Sequence, residues 1–145
     1  MERIEESVEI RRPVDQVFAY VINIKNLPIW EQSILEVEQT SPGQIGIGST
    51  FQGITKAMGR RTAWTSKATE YELNKKYGET ISSGRTQINL QWIFEPRGEN
   101  TKFTVVHDIK MGGLLRIFAP MMTGSIRKQS RDNLNRLKHI LEAQT

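Results

Sequence analysis

An α+β fold is expected, with a seven-stranded antiparallel sheet, two short helices after the first strand and one long C-terminal helix packed on the sheet. Three observations predict it. From about residue 34 to residue 110 the pattern is almost entirely strand-like segments separated by turn residues, and a further segment, of clear period two, opens the chain. The turn residues between these segments leave hairpin-length connections, which join antiparallel neighbours and are too short for parallel crossovers. After Gly112-Gly113 the apolar period becomes that of a helix.

Residues 3 to 11 carry Ile4, Val8 and Ile10 on one side, a half-buried strand. Pro13 stops the strand and suits a helix start, where its missing N–H is no loss. Val14, Val17, Phe18, Val21 and Ile22 follow at helical spacing. Asn26-Leu27-Pro28 interrupts that helix, and Leu27-Pro28-Ile29-Trp30 begins a second, with proline tolerated in its first turn. Strands are expected near residues 34–40, 48–57, 61–72, 77–83, 86–96 and 101–110. The breaks are Ser41-Pro42-Gly43, Met58-Gly59, Leu73-Asn74-Lys75, Ser83-Gly84 and Arg97-Gly98-Glu99-Asn100. In the long helix, Pro120 is expected to introduce a kink in the first third. Its apolar stripe reads Leu115, Ala119, Met122, Ile126, Asn133, Leu137 and Ile140, while Arg116, Arg127, Arg131 and Lys138 form a second stripe, read as the solvated face.

The 145 residues make one domain, 1–145, without repeat or linker, and 37% hydrophobic with 25% charged residues is a globular balance. No cysteine is present, which excludes disulfides, thiolate metal sites and cysteine nucleophiles. Met1 leads straight into Glu2-Arg3-Ile4-Glu5-Glu6, without an export-type apolar run, and no uncharged stretch approaches the roughly 18 residues a bilayer crossing needs. A cytoplasmic location is expected. The net charge of +4 resides wholly in residues 116–145. Nucleic acid is therefore not an expected partner, and any weak contact with an anionic membrane would use the basic C-terminal helix. Two separated histidines give no metal-ligand spacing, and no GxGxxG after a strand, GxxxxGK[ST] or GxSxG appears, so no metal and no cofactor is implied. Gly43-Gln44-Ile45-Gly46-Ile47-Gly48 precedes a strand and reads as a flexible turn. Oligomeric state is left open.

Ile10-Arg11-Arg12-Pro13-Val14-Asp15-Gln16-Val17-Phe18, Leu27-Pro28-Ile29-Trp30-Glu31, Ile47-Gly48-Ser49-Thr50-Phe51 and Asp132-Asn133-Leu134-Asn135-Arg136-Leu137-Lys138 occur in this order and spacing. Together they resemble the polyketide cyclase/dehydrase and lipid-transport group of the START-like (Bet v 1-like, SRPBCC) superfamily, over nearly the full chain. The resemblance implies the helix-grip fold, in which a curved sheet wraps around the last helix and leaves a hydrophobic cavity. It implies a container for lipids, sterols, polyketides, quinones or plant hormones, with a few members performing cyclisation or dehydration. No catalytic set of the family maps onto this chain.

Strand phase names the residues able to line such a cavity. Ile88, Leu90, Trp92 and Phe94 share a side, as do Phe103, Val105, His107 and Ile109, with Phe51, Trp64 and Ala68 in earlier strands. With Trp30, Met111, Phe118, Met121, Met122 and Ile126 they would form an adaptable aromatic and methionine wall, or equally fill a core of the same composition. Polar residues in apolar phases are more informative. Glu6 and His107 lie on strands that the helix-grip fold makes neighbours, so they could pair as acid and base or as a structural hydrogen bond. Asn133 interrupts the helix's apolar stripe and would hold a ligand polar group or a strand backbone; Glu70 and Glu79 are also assigned inward. The leading reading is a binder or carrier of a hydrophobic small molecule, gated near Trp30 and the Gly112-Gly113 hinge. The alternatives are a cyclase/dehydrase-type enzyme using Glu6 and His107, and an interaction module using the basic helix.

Overall fold

The structure is a computed structural model that describes residues 2–57 and 59–144, with the side chains of Ala57, Leu114 and Leu115 excepted. Nine residues of alternating polarity form β1 (Glu2–Ile10), and Pro13 caps α1 (Val14–Ile22). A 3-10 turn at Ile24–Asn26 leads into the four-residue α2 (Leu27–Trp30). Six strands follow: β2 (Ile34–Gln39), β3 (Thr50–Ala57), β4 (Arg60–Glu72), β5 (Lys76–Ser83), β6 (Thr86–Arg97) and β7 (Asn100–Met111). A 3-10 segment, Gly113–Phe118, precedes α3 (Ala119–Glu142).

The sheet order is β1-β7-β6-β5-β4-β3-β2, and every pairing is antiparallel. With the long helix and the short helices after β1, this is the helix-grip fold. Register fixes the inner face. The pairs Ile4–His107, His107–Leu90, Leu90–Glu79 and Glu79–Ala68 run across five strands, so these side chains share one surface. Above it the core is a chain of aromatic contacts: Phe18 to Phe94 at 5.0 Å, Phe94 to Phe103 at 4.9 Å, and Trp92 to Tyr77 at 5.2 Å and to Trp30 at 5.8 Å between ring centroids.

Three expectations need correction. Pro120 does not kink the helix; α3 begins at Ala119, which puts the proline in the first turn, where its lack of an N–H breaks no hydrogen bond. Glu70 faces outward. A register shift between Ala68 and Glu70 adds a residue to β4, so the inward set Trp64, Ser66, Ala68 gives way to Tyr71. Glu70 then lies opposite Gly78 on the outer face and pairs with Lys76 at 3.1 Å. The basic stripe is not simply solvated: Arg131 Nε donates to Glu6 at 3.0 Å, Arg127 approaches the same carboxylate at 3.6 Å, and Lys138 donates to the Glu9 carbonyl and to Glu142. Of the apolar stripe, Ala119, Asn133 and Leu137 are buried and Met122, Ile126 and Ile140 half-buried; the Leu115 side chain and the Met58 turn position lie outside the described residues.

Candidate functional site

Helices α1 and α2, together with the loop between β2 and β3, cover one end of the inner face. They enclose a pocket of about 20 Å³ lined by Val21, Ile22, Ile24, Leu27, Val37, Ile45, Phe51, Trp64, Ser66, Tyr77, Glu79 and Trp92. That is room for about one water molecule. A larger open groove, about 610 Å³, passes along β2 to β5 outside it; its carboxylates, Glu36 and Glu38, are exposed. Val37 and Trp64 line both spaces, so Trp64 stands as a partition between them. Gly53 makes this placement feasible, because a Cβ there would collide with the Trp64 ring and the Glu36 carbonyl.

Glu79 is the polar centre of the pocket. Tyr77, two residues away on the same face of β5, donates its hydroxyl to Glu79 Oε2 at 2.9 Å, and Ser66 Oγ donates to the same oxygen at 3.1 Å. No described residue hydrogen-bonds Oε1. Burial raises the Glu79 pKa, against the lowering effect of the two hydroxyl donors. Burial also raises that of Tyr77, reinforced by the Glu79 charge, so its phenol stays protonated as a donor. Glu31, just after α2, is pushed up to about 8, first by burial and then by Glu79. The Glu79 charge and burial therefore both disfavour the ionised form of Glu31, and a proton is retained there near neutral pH.

Sequence reasoning had Glu79 but gave Glu31 no role. Glu31 follows a four-residue helix too short to show a period, and its proximity to Glu79 is purely tertiary. The Glu6 and His107 pairing does not form. Both lie on the inner face, but Glu6 stands opposite Val105 and is held by two guanidinium groups, which attract a carboxylate more strongly than a neutral imidazole does. His107 Nδ1 has no hydrogen-bond partner among the described residues, and burial drives its pKa down to about 4, opposed by Asp108.

Trp30, Phe51, Leu90, Trp92 and Phe94 are buried on the inner side, with Trp64 half-buried among the pocket residues. Trp30, Trp64 and Trp92 each present an indole N–H without a partner among the described residues. Asn133 is buried but is used internally: its Oδ1 accepts from Arg136 Nη1 at 3.1 Å, and that nitrogen also donates to the Trp30 carbonyl. Met122 and Ile126 lie half-buried on α3, away from the small pocket, and Met111 lines a groove beside Arg85 and Arg116. Phe118 is 53% exposed and Met121 65% exposed, so neither belongs to an inner wall; Phe118 ends the 3-10 segment and Met121 lies in the first turn of α3. Among the described residues no group of three potential metal ligands occurs, and no helix is long and apolar enough to cross a membrane.

A seven-stranded antiparallel sheet, a long C-terminal helix and an aromatic interior with few polar groups define a helix-grip protein. The chain belongs to the polyketide cyclase / dehydrase and lipid transport family, matched over residues 1–142. Its fold is similar to that of TTHA0849 from Thermus thermophilus, with a TM-score of 0.83, 14% identity and 98% of each chain covered. It is also similar to the Zhui aromatase/cyclase of a Streptomyces species, with a TM-score of 0.82 and 15% identity over 97% of this chain and 93% of that one. A START superfamily protein from Mycobacterium smegmatis gives a TM-score of 0.71 at 16% identity, over 97% and 94% of the two chains. No curated protein matches the chain. The family's description covers polyketide cyclisation, dehydration and lipid transport, so hydrophobic-ligand binding or cyclase activity is the general class of function.

Proposed function

We propose that this protein is a single-domain cytoplasmic binder or carrier of a hydrophobic small molecule, such as a lipid, polyketide or quinone, held between the sheet and the covering helices. The observation that carries this reading is the pocket around Glu79. Apolar side chains from α1, α2 and the β2–β3 loop close over it, and a few polar groups converge inside: a carboxyl, a phenol, a hydroxyl and indole donors without partners among the described residues. Ligand sites have this composition, an apolar lining with a small number of placed polar groups. A ligand of ordinary size needs several hundred Å³, so binding requires the cover to lift from its closed position. Trp64, shared by the pocket and the outer groove, is the side chain whose movement would join them.

A second reading has one specific observation in its favour. Glu31, Glu79 and Tyr77 form an interior group with upward-shifted pKa values, able to supply or accept a proton in a cyclisation or dehydration. On this reading Glu79 and Glu31, rather than Glu6 and His107, carry the acid and base roles.

Native mass spectrometry of gently purified protein, followed by solvent extraction, tests the first reading, with 8-anilino-1-naphthalenesulfonate as a probe. One co-purifying apolar molecule per chain, or probe binding that quenches tryptophan fluorescence and is lost in Ile45→Arg at the pocket rim, is the expected result. An empty protein that leaves the probe free overturns it.

A further inference from the structure

We propose that the end of the molecule made by the β5–β6 turn, the end of β7 and the segment leading into α3 docks on an anionic lipid bilayer. Seven large hydrophobic side chains are exposed among the described residues, and three of them fall within five positions: Ile117 at 71%, Phe118 at 53% and Met121 at 65%. Scattered singles are ordinary on a protein surface, whereas a cluster marks a site of contact. Beside this cluster, Arg85, Lys110 and Arg116 line an open groove of about 390 Å³ with Gln87, Met111 and Gly112. No carboxylate lines that groove, and none of the three cations is in an ion pair among the described residues.

The apolar and cationic groups are close together. A Cβ at Gly113 would stand 3.2 Å from Arg85 Nη1, so the guanidinium lies against the backbone four residues before Ile117. The other basic side chains of α3 are already engaged: Arg127 and Arg131 with Glu6, Lys128 with Asp132, Arg136 with the Trp30 carbonyl and Lys138 with Glu9 and Glu142. Positive charge without a partner among the described residues thus coincides with the exposed apolar cluster. A bilayer interface satisfies both, since headgroup phosphates take the cations and the acyl boundary takes Ile117, Phe118 and Met121. A second copy of this chain fits less well, because symmetric contact at this face would bring like charges together. The docking face stands independently of what the interior pocket holds.

Co-sedimentation with phosphatidylcholine vesicles, with and without phosphatidylglycerol, tests the proposal. The protein is expected to bind the phosphatidylglycerol vesicles at about 0.1 M salt, to bind phosphatidylcholine alone far less, and to detach as salt rises. The combined change Ile117→Ser, Phe118→Ser, Met121→Ser lowers partitioning about tenfold or more. The change Arg85→Glu, Lys110→Glu, Arg116→Glu lowers it about 100-fold. Both variants alter exposed positions and are expected to keep the wild-type circular dichroism spectrum. Absence of binding, or binding that folded forms of both variants retain, overturns the proposal. So does a dimer, seen by analytical ultracentrifugation, that the serine variant dissociates.

Discussion

Two half-buried side chains, Glu31 and His107, give the protein opposing pH responses. Glu31 retains its proton to about pH 8 in the folded state, against 4.5 for a free side chain. As pH rises from about 4.5 to 8 the unfolded chain therefore gives up this proton first, and stability falls. His107 charges near pH 4 when folded and near 6.5 when free, so stability falls as pH drops through that interval. From 4.5 to 6.5 the two slopes oppose each other, and above 6.5 the Glu31 effect is left uncompensated. Urea denaturation at fixed pH should show wild-type stability declining from pH 6.5 to 8. Glu31→Gln should lessen that decline, leaving the part that the raised Glu79 pKa contributes, and gain about 1–2 kcal/mol at pH 8. An unchanged slope in the variant would remove Glu31 as its source.

At the scale of elements, α3 is tied to the sheet edge by charge as well as by its apolar face. Glu6 on β1 takes Arg131 and Arg127, while Glu142 accepts from the Arg11 backbone and from Lys138. The Glu6 carboxyl is 15% exposed and its arginines considerably more, which places this network near the surface. Glu6→Gln is therefore expected to cost about 1 kcal/mol at low salt and less at high salt, measured as the shift in denaturation midpoint. Turn residues between the segments made all seven strands legible in the sequence, with alternation clear in the first strand and the last two and weak in β4 and β5. Alternation failed at Glu70, since a single extra residue in β4 reverses inward and outward without changing composition. It correctly placed Glu6 and His107 on the inner face but could not foresee that α3 delivers two arginines to Glu6. Strand phase placed Trp64, Trp92 and Glu79 inward, whereas Glu31 acquires its character only from burial and from a neighbour 48 positions away in the chain.

For the whole molecule, the decisive geometry is a tightly filled interior next to an open groove, with Trp64 between them. Trp64→Ala is expected to connect the two and to raise the association rate of 8-anilino-1-naphthalenesulfonate in stopped-flow measurements, at a cost of about 2 kcal/mol in stability. An unchanged rate would place the entrance elsewhere. The pairing of β1 with β7 also sets an order of events during synthesis. Ile4 faces His107, so the first strand has no sheet neighbour until about a hundred more residues have left the ribosome, a wait of roughly 5–20 s at ordinary elongation rates. During that interval Ile4, Val8 and Ile10 form a ready strand edge. Glu2, Arg3, Glu5, Glu6 and Glu9, interleaved among them, act as gatekeepers that keep nascent chains from pairing with one another.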